Sequence, residues 1–117
     1  MLKRIAITLL ASIVFGVGVA GAHAMLEGAS PADGETLKAA PKEFRLSFGH
    51  EVHLTSIKLS HDDGEIAVAV DRKAAAARTF AIAAPVLGPG SYRLNWRALA
   101  SDGHAMSGHL SFSISRQ

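Results

Sequence analysis

Apolar and polar residues alternate strictly along four stretches of the chain. The stretches cover residues 44–48, 57–59, 92–96 and 110–114. A period of two with one apolar face is typical of half-buried β-strands. Residues 66–70 and 79–82 give weaker strand signals. The pattern predicts a core that contains Phe44, Leu46, Phe48, Leu94, Trp96, Phe112 and Ile114.

Turn signals separate these segments. They are Asp33-Gly34, Asp63-Gly64, Gly88-Pro89-Gly90 and Asp102-Gly103. The Asp63-Gly64 pair lies between two strand segments and predicts a β-hairpin. Residues 73–78 contain four alanines in a row but are too few for a stable helix, so we expect a loop or an edge segment there. Six or seven short strands with such turns predict one all-β domain, a small antiparallel two-sheet sandwich.

The first 22 residues have the order of a secretory signal peptide. A positive start at residues 1–4 precedes an apolar stretch at 5–15 and a small-residue end at 16–22. A transmembrane anchor is the alternative, but it needs about 20 apolar residues. Cleavage after Ala22 would leave a mature domain of residues 23–117 that begins with His23. Cleavage after Ala24 also fits the small-residue rule and would leave Met25 first.

Charge and cysteine content exclude several classes of function. Removal of residues 1–22 takes away Lys3 and Arg4 and leaves ten basic and ten acidic residues. A neutral domain has no electrostatic footprint for nucleic acid or for an anionic membrane. The absence of Cys excludes disulfides, thiolate nucleophiles, zinc–cysteine sites, iron–sulfur clusters and blue copper.

The histidines are the candidate metal ligands of this chain. The six histidines are His23, His50, His53, His61, His104 and His109. An N-terminal His23 would offer its α-amine and a ring nitrogen to one metal ion. Asp102-Gly103-His104 offers a carboxylate and an imidazole from one short segment, because residues i and i+2 point to the same side of an extended strand and Gly103 permits a turn. We expect His53, His61 and His109 to lie at the surface.

The combined ligands would be an amine nitrogen, two imidazole nitrogens and a carboxylate oxygen. Cu(II) binds such nitrogen and oxygen sets most tightly among the first-row divalent ions and favours tetragonal geometry. Zinc is the second candidate and prefers tetrahedral sites. Cu(I) fits less well, because only Met25 and Met106 could supply thioethers to the mature chain.

Several motifs together make the chain resemble the CopC family of periplasmic copper-binding proteins. The motifs are His23, Ala29-Ser-Pro-Ala-Asp-Gly34, Pro41-Lys-Glu-Phe-Arg-Leu-Ser-Phe48, Gly90-Ser-Tyr-Arg-Leu-Asn-Trp-Arg97, Ser101-Asp-Gly-His104 and Ser107-Gly108. The resemblance covers residues 23–117. It implies a Greek-key β-sandwich of immunoglobulin-like or cupredoxin-like form, copper traffic outside the inner membrane, and association with an inner-membrane, CopD-like copper transport protein.

The family's cupric ligands correspond to His23, Asp102 and His104. Many relatives have an acidic residue shortly after the position of Phe48, where this chain has Gly49-His50-Glu51. His50 is therefore a further candidate ligand, or it lies outside the site. The Met-rich loop of relatives with a cuprous site is absent, so we expect one Cu(II) per chain.

Three functions follow as expectations. The first is a monomeric periplasmic copper carrier or buffer without enzyme activity. The second is a small oxygen-activating copper enzyme that uses an N-terminal histidine brace, although a carboxylate ligand would fill a position that oxygen needs. The third is a metal-free sandwich of the cell envelope.

Overall fold

The regular secondary structure of the described residues consists of seven β-strands. The computed structural model describes residues 26–62 and 64–116. The strands are β1 (Leu26–Ser30), β2 (Glu35–Leu37), β3 (Glu43–His61), β4 (Gly64–Val68), β5 (Ala77–Ala83), β6 (Gly90–Ala100) and β7 (Ala105–Ile114). The all-β prediction is confirmed. Within these residues no helix has the length and apolar character needed to cross a membrane.

Strand β3 joins two segments that the sequence pattern predicted as separate strands. It is 19 residues long. Its buried side chains fall on even-numbered positions up to Leu54 and on odd-numbered positions from Ile57. Leu54 pairs with Ala98 and Ser56 with Arg97, which leaves Thr55 as the extra residue of a β-bulge. The bulge returns the apolar face to the core and allows one strand to run through both halves of the sheet.

Strand order gives the sheet its curl. The hydrogen-bonded path is β1-β3-β6-β7-β2, and β4 and β5 also pair with β3. The first half of β3 pairs with β1 and β5, while the second half pairs with β4 and β6. The two layers of the sandwich therefore share β3 and form a half-barrel. One pairing departs from the predicted antiparallel arrangement, because β2 runs parallel to β7.

The predicted core is confirmed. All seven residues expected inside are at most 6% exposed. The Phe48 ring meets Trp96 edge-on at 5.1 Å between ring centroids, and the Tyr92 ring stacks on Phe112 at 5.4 Å. The Tyr92 hydroxyl donates to the carbonyl oxygen of Gly88 at 2.7 Å, which satisfies the polar end of this buried ring.

The turn predictions hold with small shifts. The hairpin between β3 and β4 is present, and His61 pairs with Gly64, so Gly64 belongs to the strand rather than to the turn. Residues 73–76 form the predicted loop, and β5 begins at Ala77. Among the strands that the structure describes, β3 is the partner of β5.

Candidate metal-binding site

The connection from β6 to β7 is a tight turn that carries Asp102 and His104. The N–H of Gly103 donates to the carbonyl oxygen of Ala100 at 2.9 Å, and the N–H of Ala100 donates to the carbonyl oxygen of His104 at 2.9 Å. Gly103 has φ of 89°, a conformation that favours glycine. The two candidate ligands therefore converge through a turn, not along an extended strand as the sequence analysis assumed.

Two hydrogen bonds hold the Asp102 carboxylate against His104. The backbone N–H of His104 donates to Oδ1 at 3.0 Å. The ring nitrogen Nδ1 of His104 lies 2.8 Å from Oδ2 and donates to it, because an ionised carboxylate only accepts. This tautomer leaves the Nε2 lone pair of His104 available for a metal ion, and a carboxylate on the other ring nitrogen is the usual partner of a metal-binding histidine.

The same hydrogen bonds set the charge of the pair. The backbone N–H of His104, followed by its ring N–H, holds the pKa of Asp102 below its ordinary value. The carboxylate is therefore ionised at neutral pH. The Asp102 and His104 side chains are 62% and 82% exposed, so the pair is open to an ion or a partner from solvent.

Strand register brings His50 to the end of the sheet where this turn lies. Val52 pairs with Ala100 in the antiparallel ladder between β3 and β6. His50 precedes Val52 by two residues on β3, and Asp102 follows Ala100 by two residues, in the turn after β6. His50 is exposed. The register places His50 at the same end of the sheet as the turn, although it does not form a group of three ligands with Asp102 and His104.

Strand β1 begins at this end as well. Leu26 pairs with Phe48 of β3, so the first residue of β1 lies opposite a position two residues from His50. His23 and the predicted cleavage site after Ala22 lie outside the described residues.

Glu27 is an acidic residue of β1 that the sequence analysis did not select. Its Oε1 lies 3.1 Å from the position that a Cβ on Gly49 would occupy, so Gly49 leaves room for this carboxylate beside His50. No sequence motif marks Glu27, because only the β1–β3 pairing brings it there.

Asp102 and His104 are the two candidate ligands that the described residues bring into contact. In residues 26–62 and 64–116, no three or more His, Asp or Glu side chains come close enough to hold a metal ion. Since an imidazole and a carboxylate alone leave most coordination positions open, a tight site needs ligands from elsewhere.

The other histidines have structural surroundings. His109 is exposed on β7, as predicted. His53 and His61, which we expected at the surface, are half-buried rather than fully exposed. Nδ1 of His53 donates to the carbonyl oxygen of Ala74 at 3.2 Å, and Nδ1 of His61 donates to that of Ser91 at 2.9 Å.

His61 also stacks on Tyr92, with 4.3 Å between ring centroids. The loop before β5 and the start of β6 supply the partners of these two histidines, and period-two alternation carries no information on such contacts.

The chain is a small β-sandwich that carries an exposed carboxylate–imidazole pair, the candidate metal ligands Asp102 and His104. Comparison with known proteins identifies its family. Residues 26–115 match the model of the CopC domain, and the chain belongs to the CopC family. Proteins of this family are periplasmic copper-binding resistance proteins rather than enzymes.

Individual relatives agree with this assignment. Copper resistance protein C of Escherichia coli is 29% identical over 114 residues, which cover 87% of this chain and 90% of the relative. Protein YobA of E. coli K12 is 30% identical over 98 residues, which cover 80% of this chain and 79% of YobA.

Solved structures agree as well. CopC from Methylosinus trichosporium OB3b superposes with a TM-score of 0.65 at 31% identity, covering 78% of this chain and 92% of that one. PcoC from E. coli, described as a methionine-rich copper resistance protein, superposes with a TM-score of 0.60 at 27% identity. The superposition covers 78% of this chain and 97% of PcoC.

Proposed function

We propose that this chain is an exported copper carrier or buffer that binds one Cu(II) ion in the periplasm. The observation that carries the proposal is the 2.8 Å contact between His104 Nδ1 and Asp102 Oδ2 on an exposed turn. It orients an imidazole whose Nε2 is free and supplies negative charge beside it. Membership of the CopC family supports copper as the ion.

The proposal takes residues 1–22 as a cleaved signal peptide and His23 as the first residue of the domain 23–117. His23 precedes Leu26 by three residues, a reach of about 10 Å in extended chain. Leu26 starts β1 opposite Phe48, at the end of the sheet toward which His50 and the Asp102 turn also lie. An N-terminal His23 would add its amine and one ring nitrogen to the nitrogen and oxygen of the turn.

This donor set favours Cu(II) over other ions. Three nitrogens and one carboxylate oxygen suit a tetragonal ion, and Cu(II) is at the top of the affinity order for first-row divalent metals. His50 is a candidate additional ligand because of its register position. The chain lacks the clustered methionines that would favour Cu(I), since the described part of the mature chain contains Met106 alone.

The exposure of the pair supports transfer rather than catalysis. An ion held by Asp102 and His104 would lie at the surface, where a second protein can displace one ligand at a time. A CopD-like inner-membrane transport protein is the proposed partner, and the carrier is proposed to act as a monomer. A carboxylate ligand would also occupy a coordination position that oxygen chemistry needs.

The test combines the mass of the exported protein with competition titrations. We expect an intact mass that begins at His23 and one Cu(II) per chain. We expect His104→Ala to weaken Cu(II) binding at least about 100-fold, above the usual cost of losing a second-shell partner. His109→Ala is the matched control, because His109 is also an exposed histidine and, within residues 26–62 and 64–116, forms no ion pair with a carboxylate. Equal affinities for the two variants would refute the assignment.

A further inference from the structure

The outward face of β4, β3, β6 and β7 forms a shallow hollow of about 890 Å³. The charged and titratable residues that line it are Lys58, Arg72, Arg93, Arg97, Glu65 and His109. We call this surface the basic face. Four cations oppose one carboxylate there, although the mature sequence is neutral in total. The basic face therefore has a local excess of positive charge, although the net charge of residues 23–117 is zero.

Strand register spreads these cations over a floor of short side chains. Arg93 lies between Ser60 and Ser111, and Arg97 lies between Ser56 and Ser107. The cross-strand neighbours of each arginine are therefore serines, whose side chains are short and uncharged. Four residues along β6 separate the two arginines by about 13 Å.

The cations of this surface lack ionic partners. Within residues 26–62 and 64–116, the Lys58, Arg93 and Arg97 side chains make no ion pair or hydrogen bond. Arg72 donates from Nε to the carbonyl oxygen of Thr55 at 2.9 Å, which turns its guanidinium toward the hollow's edge without changing its charge. A concave surface lined by charge of one sign focuses its field and attracts opposite charge.

We propose that the basic face binds an acidic, extended segment of a partner protein. Cations spaced along a strand match carboxylates spaced along an extended polypeptide, whereas a single small anion would need convergent donors. Arginine forks bind carboxylates through paired hydrogen bonds. The concave shape fits a protruding segment, while a lipid bilayer presents a flat surface.

The position of the face within the sheet indicates how the segment is recognised. At the face, β3 lies between β4 and β6, and β6 lies between β3 and β7, so their backbone groups are already paired. Side chains must therefore provide the contacts, and addition of a strand to a free edge is excluded at these two strands. Strand β6 leads from Arg97 to Ala100, so a docked segment would lie next to the turn that carries Asp102 and His104.

The test measures binding of a fluorescein-labelled peptide of about 12 alternating Glu and Ser residues, long enough at about 3.3 Å per residue to span the face. The same peptide with Gln in place of Glu is the neutral reference. Fluorescence anisotropy is followed from about 0.01 M to about 0.15 M salt, over which the screening length falls from about 30 Å to about 8 Å.

The decisive comparison is between two variants of equal charge. Arg93→Glu with Arg97→Glu reverses the centre of the basic face, and Lys42→Glu with Arg78→Glu reverses two exposed cations elsewhere. We expect the first pair to weaken peptide binding at least about 10-fold and the second less than about twofold. Arg93→Gln with Arg97→Gln is a milder variant, expected to weaken binding about threefold or more, in case charge reversal impairs folding.

Three results would overturn the proposal. One is equal weakening by both charge-reversed variants, which would indicate attraction by net charge alone. Another is equal binding of the Gln peptide. The third is binding of phosphatidylglycerol vesicles that depends on Arg93 and Arg97 while the acidic peptide does not bind. Copper affinity is expected to be unchanged in the variants of Arg93 and Arg97, so this test is independent of the copper proposal.

Discussion

The indole ring of Trp96 lies directly over Gly108, its cross-strand partner. A Cβ added to Gly108 would lie 2.6 Å from Cζ2 and 3.0 Å from Nε1 of Trp96. The pair connects β6 to β7 in the core beneath the basic face, and both strands continue into the turn that holds the candidate copper ligands. The close packing of the indole on β7 therefore requires a residue without a side chain at position 108.

Gly108→Ala is expected to destabilise the fold by about 1–3 kcal/mol, the usual cost of overpacking a core. Trp96 is 1% exposed and cannot turn away without disturbing Phe48, which it meets edge-on. Urea unfolding followed by tryptophan fluorescence measures the change. Gly28→Ala is the control, because no atom lies within 4 Å of its added Cβ. Equal stability of the two variants would contradict the packing described for Trp96.

The substitution Asp102→Asn tests whether the Asp102 carboxylate binds the metal ion or only orients the His104 ring. Asparagine keeps one oxygen, which can accept one of the two hydrogen bonds from His104. It loses the negative charge and has an NH2 donor in place of the second oxygen. We expect Asp102→Asn to weaken Cu(II) binding at least about 10-fold in competition with a chromophoric chelator, and Asp102→Ala to weaken it further. If Asn binds as tightly as Asp while Ala does not, Asp102 only orients the His104 ring.

Copper binding is expected to decrease on acidification, mainly below about pH 6. Imidazoles, with ordinary pKa values near 6.5, and an α-amine, near 7.7–8.0, must lose protons to bind a metal, so protons compete at these ligands first. The hydrogen bonds from His104 lower the pKa of Asp102, so its carboxylate stays ionised through that range. The ionised carboxylate of Asp102 therefore favours copper binding at neutral pH. This contribution is lost only as the pH falls through the lowered pKa of Asp102.

A pH titration of bound Cu(II), followed by its visible absorption, measures this dependence. The control is Asp102→Asn, which removes the acidic group but leaves the nitrogen ligands, so its residual binding should fall over the same range. Copper retained unchanged down to about pH 4 would contradict a site built on imidazole and amine nitrogens.

The metal-free protein is expected to be folded at neutral pH. The core residues pack against one another, and neither Asp102 nor His104 belongs to the core. Copper should raise the stability only by linkage, about 2.7 kcal/mol at a free concentration 100 times the dissociation constant. Circular dichroism and thermal melting of metal-free and loaded protein test this. A metal-free chain that is unfolded would mean that copper is structural, and the carrier proposal would fail.

Period-two alternation was sufficient to predict the strands that contain Leu94 and Phe112, because one face of each packs on the core. It was insufficient for β3. The bulge at Thr55 changes the phase of the buried positions, and a pattern that changes phase is read as two strands. The parallel pairing of β2 with β7 depends on contacts far apart in the chain, which a local pattern does not contain.

The Asp102-Gly103-His104 segment could be identified from the sequence because its members are adjacent in the chain. Its geometry could not, since the 2.8 Å contact between the side chains depends on the turn that Gly103 permits. Glu27 was missed because pairing of β1 with β3 brings it beside Gly49.

The basic face was missed for another reason. A sum over residues 23–117 gives equal numbers of acidic and basic residues, and it contains no information on where these residues lie in the fold. Lys58, Arg93 and Arg97 become neighbours only when β3 and β6 pair in their observed register.

The most direct test of the copper proposal compares the affinity of the mature chain for Cu(II) with that of the same chain carrying one extra glycine before His23. The extra residue converts the α-amine of His23 into an amide nitrogen but leaves Asp102 and His104 unchanged. Competition titration should give an affinity at least about 10-fold weaker for the extended chain, because one of its nitrogen ligands is lost. Equal affinity for the two chains would contradict a site that depends on the amine of His23.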